Sequence, residues 1–308
     1  MFFRKRSEEV TKKNIFAYIC NRQKAIKLSV LCMCKAMHVT ESGYYKWKRN
    51  RHKVKKWQLV LTEMHTILKE HEDNDNYGVT RMKIALKQKG IKCSRSTVLR
   101  IMRRGNLLHK SRKSPDGLTK ADKKAQKCED LVKQDFSASK PNEKWLTDIT
   151  QIACKDGTLY IAPVLDCFAG EIISVAMDDN MKKQLCIRAI QQAYEKERPK
   201  PGFIAHSDPG SQYTSHEYKR TIASLHGVQS MGGVGACYDN ARMESFFATL
   251  KKEKLYRIDT KKLTIEQVKT IVWRYIMVYY NRLRINTFNE GGYPPSVYRQ
   301  IAAPKKAA

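Results

Sequence analysis

The sequence contains no CxxC pair, although it has nine cysteines. They form an odd set, which argues against a disulfide framework and a zinc ribbon and favours reduced thiols. Long hydrophobic runs are also missing, since no stretch approaches the roughly 20 uncharged apolar residues that a membrane span requires. The opening segment, residues 1–10, is charged and has no apolar run behind it, so we expect no secretory signal. The absences predict a cytoplasmic protein with no membrane partner.

Acidic residues are scarce relative to basic ones. The 308 residues include 59 Lys and Arg against 30 Asp and Glu, a formal net charge of +29. Residues 1–140 hold 35 basic and 13 acidic side chains, whereas residues 141–308 hold 24 and 17. A solvated surface can explain one lysine run. An excess spread over 140 residues destabilises a compact state unless a partner neutralises it, so we expect the first half to bind duplex DNA.

A first helix pair is predicted in the basic segment 1–55. Apolar residues follow a helical period over 28–37, the period breaks at 40–43, and a second short helix continues through 44–47. Two helices joined by a tight turn are the outline of a helix-turn-helix.

A second basic helical region is predicted over residues 56–110. Gly90 is expected to end one helix, and Ser94 or Ser96 to cap the next. Each pair alone is weak support for DNA binding, but two pairs rich in Lys and Arg strengthen it. The side chains predicted to contact DNA here are Arg81, Lys83, Arg95 and Arg100.

Strand-like runs begin after a predicted linker, residues 111–143, that holds one short helix. Strands are predicted at 145–152, 158–167, 171–177 and 203–206, and helices over 182–194 and up to Leu225. Asp156 with Gly157 predicts a hairpin, and Thr214 with Glu217 predicts a capping box. The result is a mixed α/β core over 144–260, followed by a helical extension over 261–308.

Three carboxylates stand out in this core. Asp148 lies inside a predicted strand, where an ionised side chain is costly unless a cation or hydrogen bonds meet it. Asp208 closes another strand, at the kind of edge where α/β sheets bind ligands. Glu244 lies on an amphipathic helix, with Asp239 as its expected N-cap and Lys251 two turns further along the same side.

Together these acids could converge on divalent metal. Mg²⁺ prefers oxygen ligands and needs few carboxylates when substrate phosphates complete its shell. Two ions about 3.5–4 Å apart can activate an attacking hydroxyl and stabilise the leaving oxygen. Taken singly, each acid could equally be a helix cap or a surface charge.

Three segments carry a resemblance to a known family. They are WLTDIT at 145–150, HSDPGSQYTS at 206–215 and DNARMESFFATLKKE at 239–253. They resemble the bacterial insertion-sequence transposases of the retroviral-integrase superfamily, which are encoded in two overlapping reading frames. The 35 residues between Asp208 and Glu244 match that family's spacing between its second and third catalytic acids. Similarity extends to SGYYKW at 42–47, YGVTRMKIAL at 77–86 and YYNRLR at 279–284.

The resemblance implies an RNase H-like, mixed-sheet catalytic core preceded by a basic, all-α helix-turn-helix-like region. Asp148, Asp208 and Glu244 would bind two Mg²⁺ or Mn²⁺ ions and catalyse hydrolysis and strand transfer at mobile-element ends. Duplex DNA, as terminal inverted repeats and target, is the implied partner, with a homo-oligomer and an upstream-frame protein or fusion as further expectations. Such a protein would associate with the bacterial nucleoid. The DNA contacts expected near the acids are Asn240, Lys251 and Lys252.

The sequence departs from the family at two places. The stretch GGVGACY, after Met231, has no Arg or Lys where a basic stretch is usual, and Asn286 replaces a usual His. Asp166 is the rival acid, but it matches no catalytic position, and His206 and His216 are expected to be structural.

Two alternative functions stay open, and one alternative domain is disfavoured. A catalytically silent DNA-binding regulator on the same fold would not cut DNA, and an integrase-fold nuclease would nick DNA without joining it. A zinc-binding N-terminal domain is disfavoured, because the histidines at 38, 52, 65 and 71 lack the paired spacing of zinc ligands.

Overall fold

A computed structural model describes residues 11–23, 25, 28–109, 128–233 and 240–303. The chain divides into two compact units, Met1–Thr62 and Glu63–Ala308. The boundary falls inside a helix, so the predicted second helical region belongs largely to the same unit as the predicted core. No helix within the described ranges is both long and apolar enough to cross a membrane.

The described residues of the smaller unit form three short helices and the start of a fourth. These are α1 (Lys12–Arg22), α2 (Val30–Ala36), α3 (Glu41–Asn50) and α4 (Lys56–Lys69). Thr11, Ser29 and Thr40 each cap a helix, because their hydroxyl oxygens accept a backbone N–H of the first turn. Ile19, Cys34 and Tyr44 are among the side chains of its apolar core. The predicted first helix pair is therefore present as α2 and α3.

The larger unit begins with the second helix pair, α5 (Val79–Gln88) and α6 (Arg95–Arg104). Gly90 follows α5 with a positive φ of 80°, a conformation that glycine adopts readily. The Ser94 hydroxyl accepts the N–H of Thr97, so Ser94 is the N-cap of α6. Both features agree with the sequence-based expectation.

Within the described part of the chain, six strands form one mixed sheet. They are β1 (Lys144–Thr147), β2 (Thr150–Cys154), β3 (Gly157–Asp166), β4 (Ile172–Asp178), β5 (Ile204–Ser207) and β6 (Val228–Met231). β3 pairs antiparallel with β4 on one side and with both β1 and β2 on the other. β5 lies parallel to β1, and β6 lies parallel to β5. The predicted α/β class, a mixed sheet preceded by a basic helical region, is confirmed.

The predicted single strand over 145–152 is wrong in one respect, because the chain leaves the ladder at Asp148 and Ile149. An Oδ1 atom of Asp148 accepts the N–H of Ile149 at 2.7 Å, which gives that amide a partner outside the sheet. β1 and β2 are therefore separate strands. The predicted hairpin is present between β2 and β3, where Cys154 pairs with Gly157.

Helix α7 (Lys183–Glu197) follows β4, α8 (His216–Ser224) follows β5, and α9 (Ala241–Glu253) follows β6. The main core combines Trp145 and Phe203 from the sheet region with Ile190 of α7 and Ile222 of α8. Burial of these apolar side chains is the dominant favourable contribution to folding.

Two predicted caps differ from the structure. The N-cap of α8 is Ser215 rather than Thr214, because the Ser215 hydroxyl accepts the N–H of Tyr218. The Thr214 hydroxyl instead donates to the carbonyl of Ser211, and Glu217 pairs with Lys183. Asp239, the expected cap of α9, lies outside the described residues, and Asn240 occupies the N-cap position.

The described C-terminal part, up to residue 303, is largely helical. It comprises α10 (Ile265–Trp273), a π-helical segment (Arg274–Tyr280) and α11 (Pro295–Ala302). Short 3₁₀ turns lie at Glu72–Asn76, Leu255–Arg257, Thr260–Lys262 and Glu290–Gly292. The predicted linker lies partly outside the described residues, and its described part, 128–143, contains no helix.

Candidate active site

Asp148 and Asp208 follow neighbouring parallel strands at the same sheet edge. The register pairs Thr147, the last residue of β1, with Ser207, the last residue of β5. The next residue along each strand is an aspartate. Because parallel strands end at the same edge, the two carboxylates leave the sheet side by side, where open α/β sheets bind their ligands.

Helix α9 brings Glu244 to this edge. The side-chain amide of Asn240 donates to the carbonyl of Thr147 at 3.4 Å, which holds the start of α9 beside the end of β1. Glu244 lies in the first turn and is exposed, whereas Met243 and Phe246 are buried against the core. The apolar stripe of α9 thus fixes which face the acid occupies.

The electrostatics of Asp148 link the three acids. Burial and, to a smaller extent, the negative charges of Asp208 and Glu244 together raise the pKa of Asp148 to about 7. The N–H of Ile149 and the charge of Lys251 act in the opposite direction but do not prevail. Like charges close enough to perturb one carboxyl group indicate a shared site.

Lys251 lies on the same side of α9 as Glu244, two turns further along. Burial lowers the pKa of Lys251, and the nearby charge of Asp148 offsets part of that shift. Its ammonium group therefore belongs to the electrostatic surroundings of the acids. Lys252, the next residue, is exposed.

No three His, Cys, Asp or Glu side chains in the described ranges stand close enough together to form a ready metal cage. The donor chemistry nevertheless fits a hard divalent cation, because Mg²⁺ uses only one or two carboxylates when phosphates and waters complete its shell. The repulsion that raises the pKa of Asp148 is relieved by a bound cation. Asn240 Oδ1 is also buried, without a hydrogen-bond partner among the described residues.

Asp166, the rival acid, lies in a different environment. It is fully buried at the end of β3 and accepts the N–H groups of Asn142 and Phe168. The guanidinium of Arg299 lies 3.4 Å from its carboxylate. Burial raises the pKa of Asp166 to about 6, while Arg299 lowers it. These contacts attach α11 to the sheet, so Asp166 has a structural role.

A buried histidine and three exposed basic residues agree with their predicted roles or accessibility. His206 is buried, with Nδ1 2.9 Å from the Ser230 hydroxyl, as expected of a structural histidine. The GGVGACY stretch lies mostly outside the described residues. Lys83, Arg95 and Arg100 are exposed on α5 and α6, where they are accessible to DNA.

Two predicted DNA contacts have other partners. Arg81 forms an ion pair with Glu253, with Nη2 2.8 Å from Oε1, and donates to the carbonyl of Asn76. Asn240 is 1% exposed, and its amide donates to Thr147. For both residues DNA contact stays a prediction, since the side chain already has a structural partner.

Glu253 is the residue that sequence reasoning missed. It is 8% exposed, and its carboxylate also accepts hydrogen bonds from Arg284 and from the Tyr275 hydroxyl. A signal was present in the sequence, because Glu253 continues the buried stripe of α9, three residues after Leu250. An acid on an apolar stripe requires a buried cationic partner.

The salt-bridged cluster extends into the second helical region. Lys254 contacts Glu72 and Asp73, and Arg257 forms an ion pair with Asp75. The Asn76 amide donates to the carbonyl of Glu253 at 3.0 Å. These contacts fasten the segment before α5 to the end of α9 within the larger unit.

Comparison with known proteins identifies three family matches. An integrase core domain matches residues 138–237, and a second integrase core domain model matches 244–302. An HTH-like domain matches residues 58–115. The two integrase core matches cover the sheet and α9 from Glu244 onward.

Curated relatives resemble the chain over most of its length. An insertion element IS600 31 kDa protein of Shigella sonnei is 32% identical over 87% of this chain and 97% of its own length. The transposase InsF for insertion sequence IS3A of Escherichia coli (strain K12) is 30% identical over 91% and 97%, respectively. The HTLV-2 integrase catalytic core, solved with magnesium, is 19% identical over 52% of this chain and 97% of that chain, with a TM-score of 0.41. The identity to the IS600 and InsF proteins shows that the chain belongs to the insertion-sequence transposases that carry an integrase core domain.

Proposed function

We propose that the protein is a DNA transposase of the polynucleotidyl transferase type, with Asp148, Asp208 and Glu244 as its catalytic acids. The observation that carries the proposal is the adjacency of the first two acids across β1 and β5, together with the effect of Asp208 and Glu244 on the pKa of Asp148. Membership of the family supports duplex DNA as the substrate. A homo-oligomer and an upstream-frame partner remain predictions.

The proposed chemistry has two steps at the ends of the mobile element. Hydrolysis of a phosphodiester bond leaves a 3′ hydroxyl, and that hydroxyl then attacks a phosphodiester of the target in a transesterification. Mg²⁺ or Mn²⁺, as two ions, would activate the attacking oxygen and stabilise the leaving oxygen when bound. The residues that would hold them are the three acids.

The side chains around the acids have separate tasks in this proposal. Asn240 fixes the start of α9 to β1 and so orients Glu244 toward the sheet edge. Lys251 presents a positive charge on the same side of α9, where it can bind a phosphate beside the reacting bond. Lys252 is exposed and is suited to a more distant phosphate.

The test is cleavage of element-end DNA by an Asp208→Asn variant in Mg²⁺. We expect the cleavage rate to fall at least about 10³-fold with DNA binding nearly unchanged, because the change removes a metal ligand and no cation. Asp179→Asn, an exposed acid after β4, is the matched control and should cut normally. In Ca²⁺ the wild-type chain should bind DNA without cutting it.

Substantial cutting by Asp208→Asn would overturn the assignment of the acids. Binding without any cutting by the wild-type chain would favour the silent regulator, and nicking without joining would favour a nuclease.

A further inference from the structure

The smaller unit contains a helix-turn-helix that lies outside the matched HTH-like domain. That match begins at residue 58, whereas α2 and α3 end before residue 51. His38, between the two helices, has a positive φ of 53°, which turns the chain sharply. The Thr40 hydroxyl then accepts the N–H of Gly43 and starts α3. In such motifs the second helix enters the major groove of DNA.

One side of α3 is tied to the core of the unit. Tyr44 is completely buried and packs in the cluster that includes Phe16, with ring centroids 6.2 Å apart. Trp47 is partly buried and packs against the same cluster. The aromatic side chains therefore fix the rotation of α3 about its own axis.

The opposite side of α3 is exposed along its whole length. Ser42, Tyr45, Lys46 and Arg49 are all exposed, and their positions follow the i, i+3, i+4, i+7 spacing of one helix face. Tyr45 keeps 45% of its surface accessible. A hydroxyl, an aromatic ring and two cations in one stripe are a side-chain set suited to base edges, because Arg and Lys bind guanine and Ser binds several bases.

The flank of this face is strongly basic. From Glu41 to Lys56 the chain has one acidic residue and seven basic ones. Lys53, Lys55 and Lys56 are exposed beyond the end of α3. Exposed cations beside a base-reading helix are suited to phosphates, which supply affinity and set the register on the duplex.

We infer that α3 is a DNA-recognition helix whose Ser42, Tyr45, Lys46 and Arg49 read base edges in the major groove of duplex DNA. The neighbouring lysines bind the phosphates. The inference rests on the proposed function only for the origin of the DNA, the ends of the mobile element. Recognition itself requires no catalysis.

Lys48 provides a matched control on the same helix. It is exposed, but its Nζ lies 5.8 Å from the centroid of the Tyr44 ring, on the flank of α3 rather than on the recognition face. Loss of its charge should weaken binding to all sequences alike. Loss of Arg49 should change which sequence is preferred.

The experiment uses the full chain in EDTA, so that no catalytic step contributes. Duplexes are selected from a random library by the wild-type chain, and affinities for the selected and an unrelated duplex are measured at two salt concentrations. For Arg49→Ala and Lys46→Ala we expect the ratio of the two affinities to fall about tenfold or more. For Lys48→Ala we expect both affinities to fall together, with the ratio unchanged.

Each outcome decides the inference. If the wild-type chain selects no sequence, or if Arg49→Ala keeps the wild-type ratio, α3 does not read bases. If Arg100→Ala on α6 abolishes the preference while Arg49→Ala keeps it, recognition belongs to the second helix pair. Circular dichroism melts verify folding, and Asp208→Asn, which tests the catalytic proposal, should retain the full sequence preference.

Discussion

Helix α9 carries an acid at each end, and the two acids have opposite surroundings. At its start, Glu244 contributes negative charge to a site where burial and like charges raise the pKa of Asp148 to about 7. At its end, burial alone would raise the pKa of Glu253, but hydrogen bonds and charges from Arg284 and Arg81 hold that pKa below its ordinary value. The surroundings at the start of α9 oppose ionisation of Asp148, whereas those at its end favour ionisation of Glu253.

The difference separates a functional acid cluster from a structural one. Glu253 is matched by cations within the chain, so its ionised form stabilises the fold. The cluster around Asp148 combines three carboxylates with one partly buried lysine, so its ionised form costs free energy until a cation arrives. Sites that retain such a cost are candidates for function.

The largest change in the free energy of unfolding should come from Glu253→Gln. The change leaves Arg81 and Arg284 without their carboxylate, and breaking a buried ion pair of this kind costs about 3–5 kcal/mol. Because the folded-state pKa of Glu253 is lowered, its contribution is present above the unfolded value near 4.3 and is lost as the pH falls. Urea unfolding from pH 7 to pH 3.5 should show the difference from wild type narrowing.

Glu195→Gln is the matched control for this prediction. Glu195 is an exposed acid near the end of α7, and its loss should change the free energy of unfolding by less than about 0.5 kcal/mol. Equal unfolding free energies for Glu253→Gln and Glu195→Gln at pH 7 would contradict a structural role for the Glu253 cluster.

Asp148→Asn should raise the free energy of unfolding in EDTA, whereas Glu253→Gln lowers it. The folded-state pKa of about 7 lies above the unfolded value near 3.9, so the acid lowers stability progressively as the pH rises between those values. The neutral amide of the variant avoids this loss of stability. We expect its free energy of unfolding to exceed that of wild type by about 2 kcal/mol at pH 8 and to change little at pH 4. Thermal unfolding at both pH values measures it.

Mg²⁺ sharpens this prediction. The ion should stabilise the wild-type chain more than Asp148→Asn, because the variant lacks one ligand. If Asp148→Asn were less stable than wild type at pH 8 in EDTA, the acids at the start of α9 would be compensated by cations of the chain as fully as Glu253 is.

The smallest effect concerns Lys251→Glu. We expect binding of element-end DNA to weaken and strand joining to slow about tenfold, as the loss of one phosphate contact of ~1.4 kcal/mol predicts, with little change in thermal stability. Lys219→Glu, an exposed lysine on α8, has the same change in charge and should join normally. Wild-type joining by Lys251→Glu would leave Lys251 as a helix-end charge and direct the DNA to another side of the acids.

Sequence patterns predicted most elements of the fold. The strands, the hairpin at Gly157 and the cap at Ser94 depend on residues a few positions apart, so local spacing suffices to find them. The sequence pattern did not predict the break of the first strand at Asp148. The apolar neighbours of Asp148 continue a strand pattern, and the hydrogen bond from the N–H of Ile149 to its carboxylate cannot be recognised from residue spacing. The cap at Thr214 was misplaced by one residue, since both Thr214 and Ser215 can cap a helix.

The sequence by itself determined the family resemblance, the basic first half and the three acids proposed for catalysis, because these depend on residue type and spacing along the chain. Only the tertiary structure decided that Arg81 pairs with Glu253 and that Thr147 lies beside Ser207. Those partners are far apart in the chain, and the folding of the sheet and the docking of α9 bring them within contact. Charge alone marked Arg81 as a DNA ligand, whereas burial beside a carboxylate gives it a structural partner.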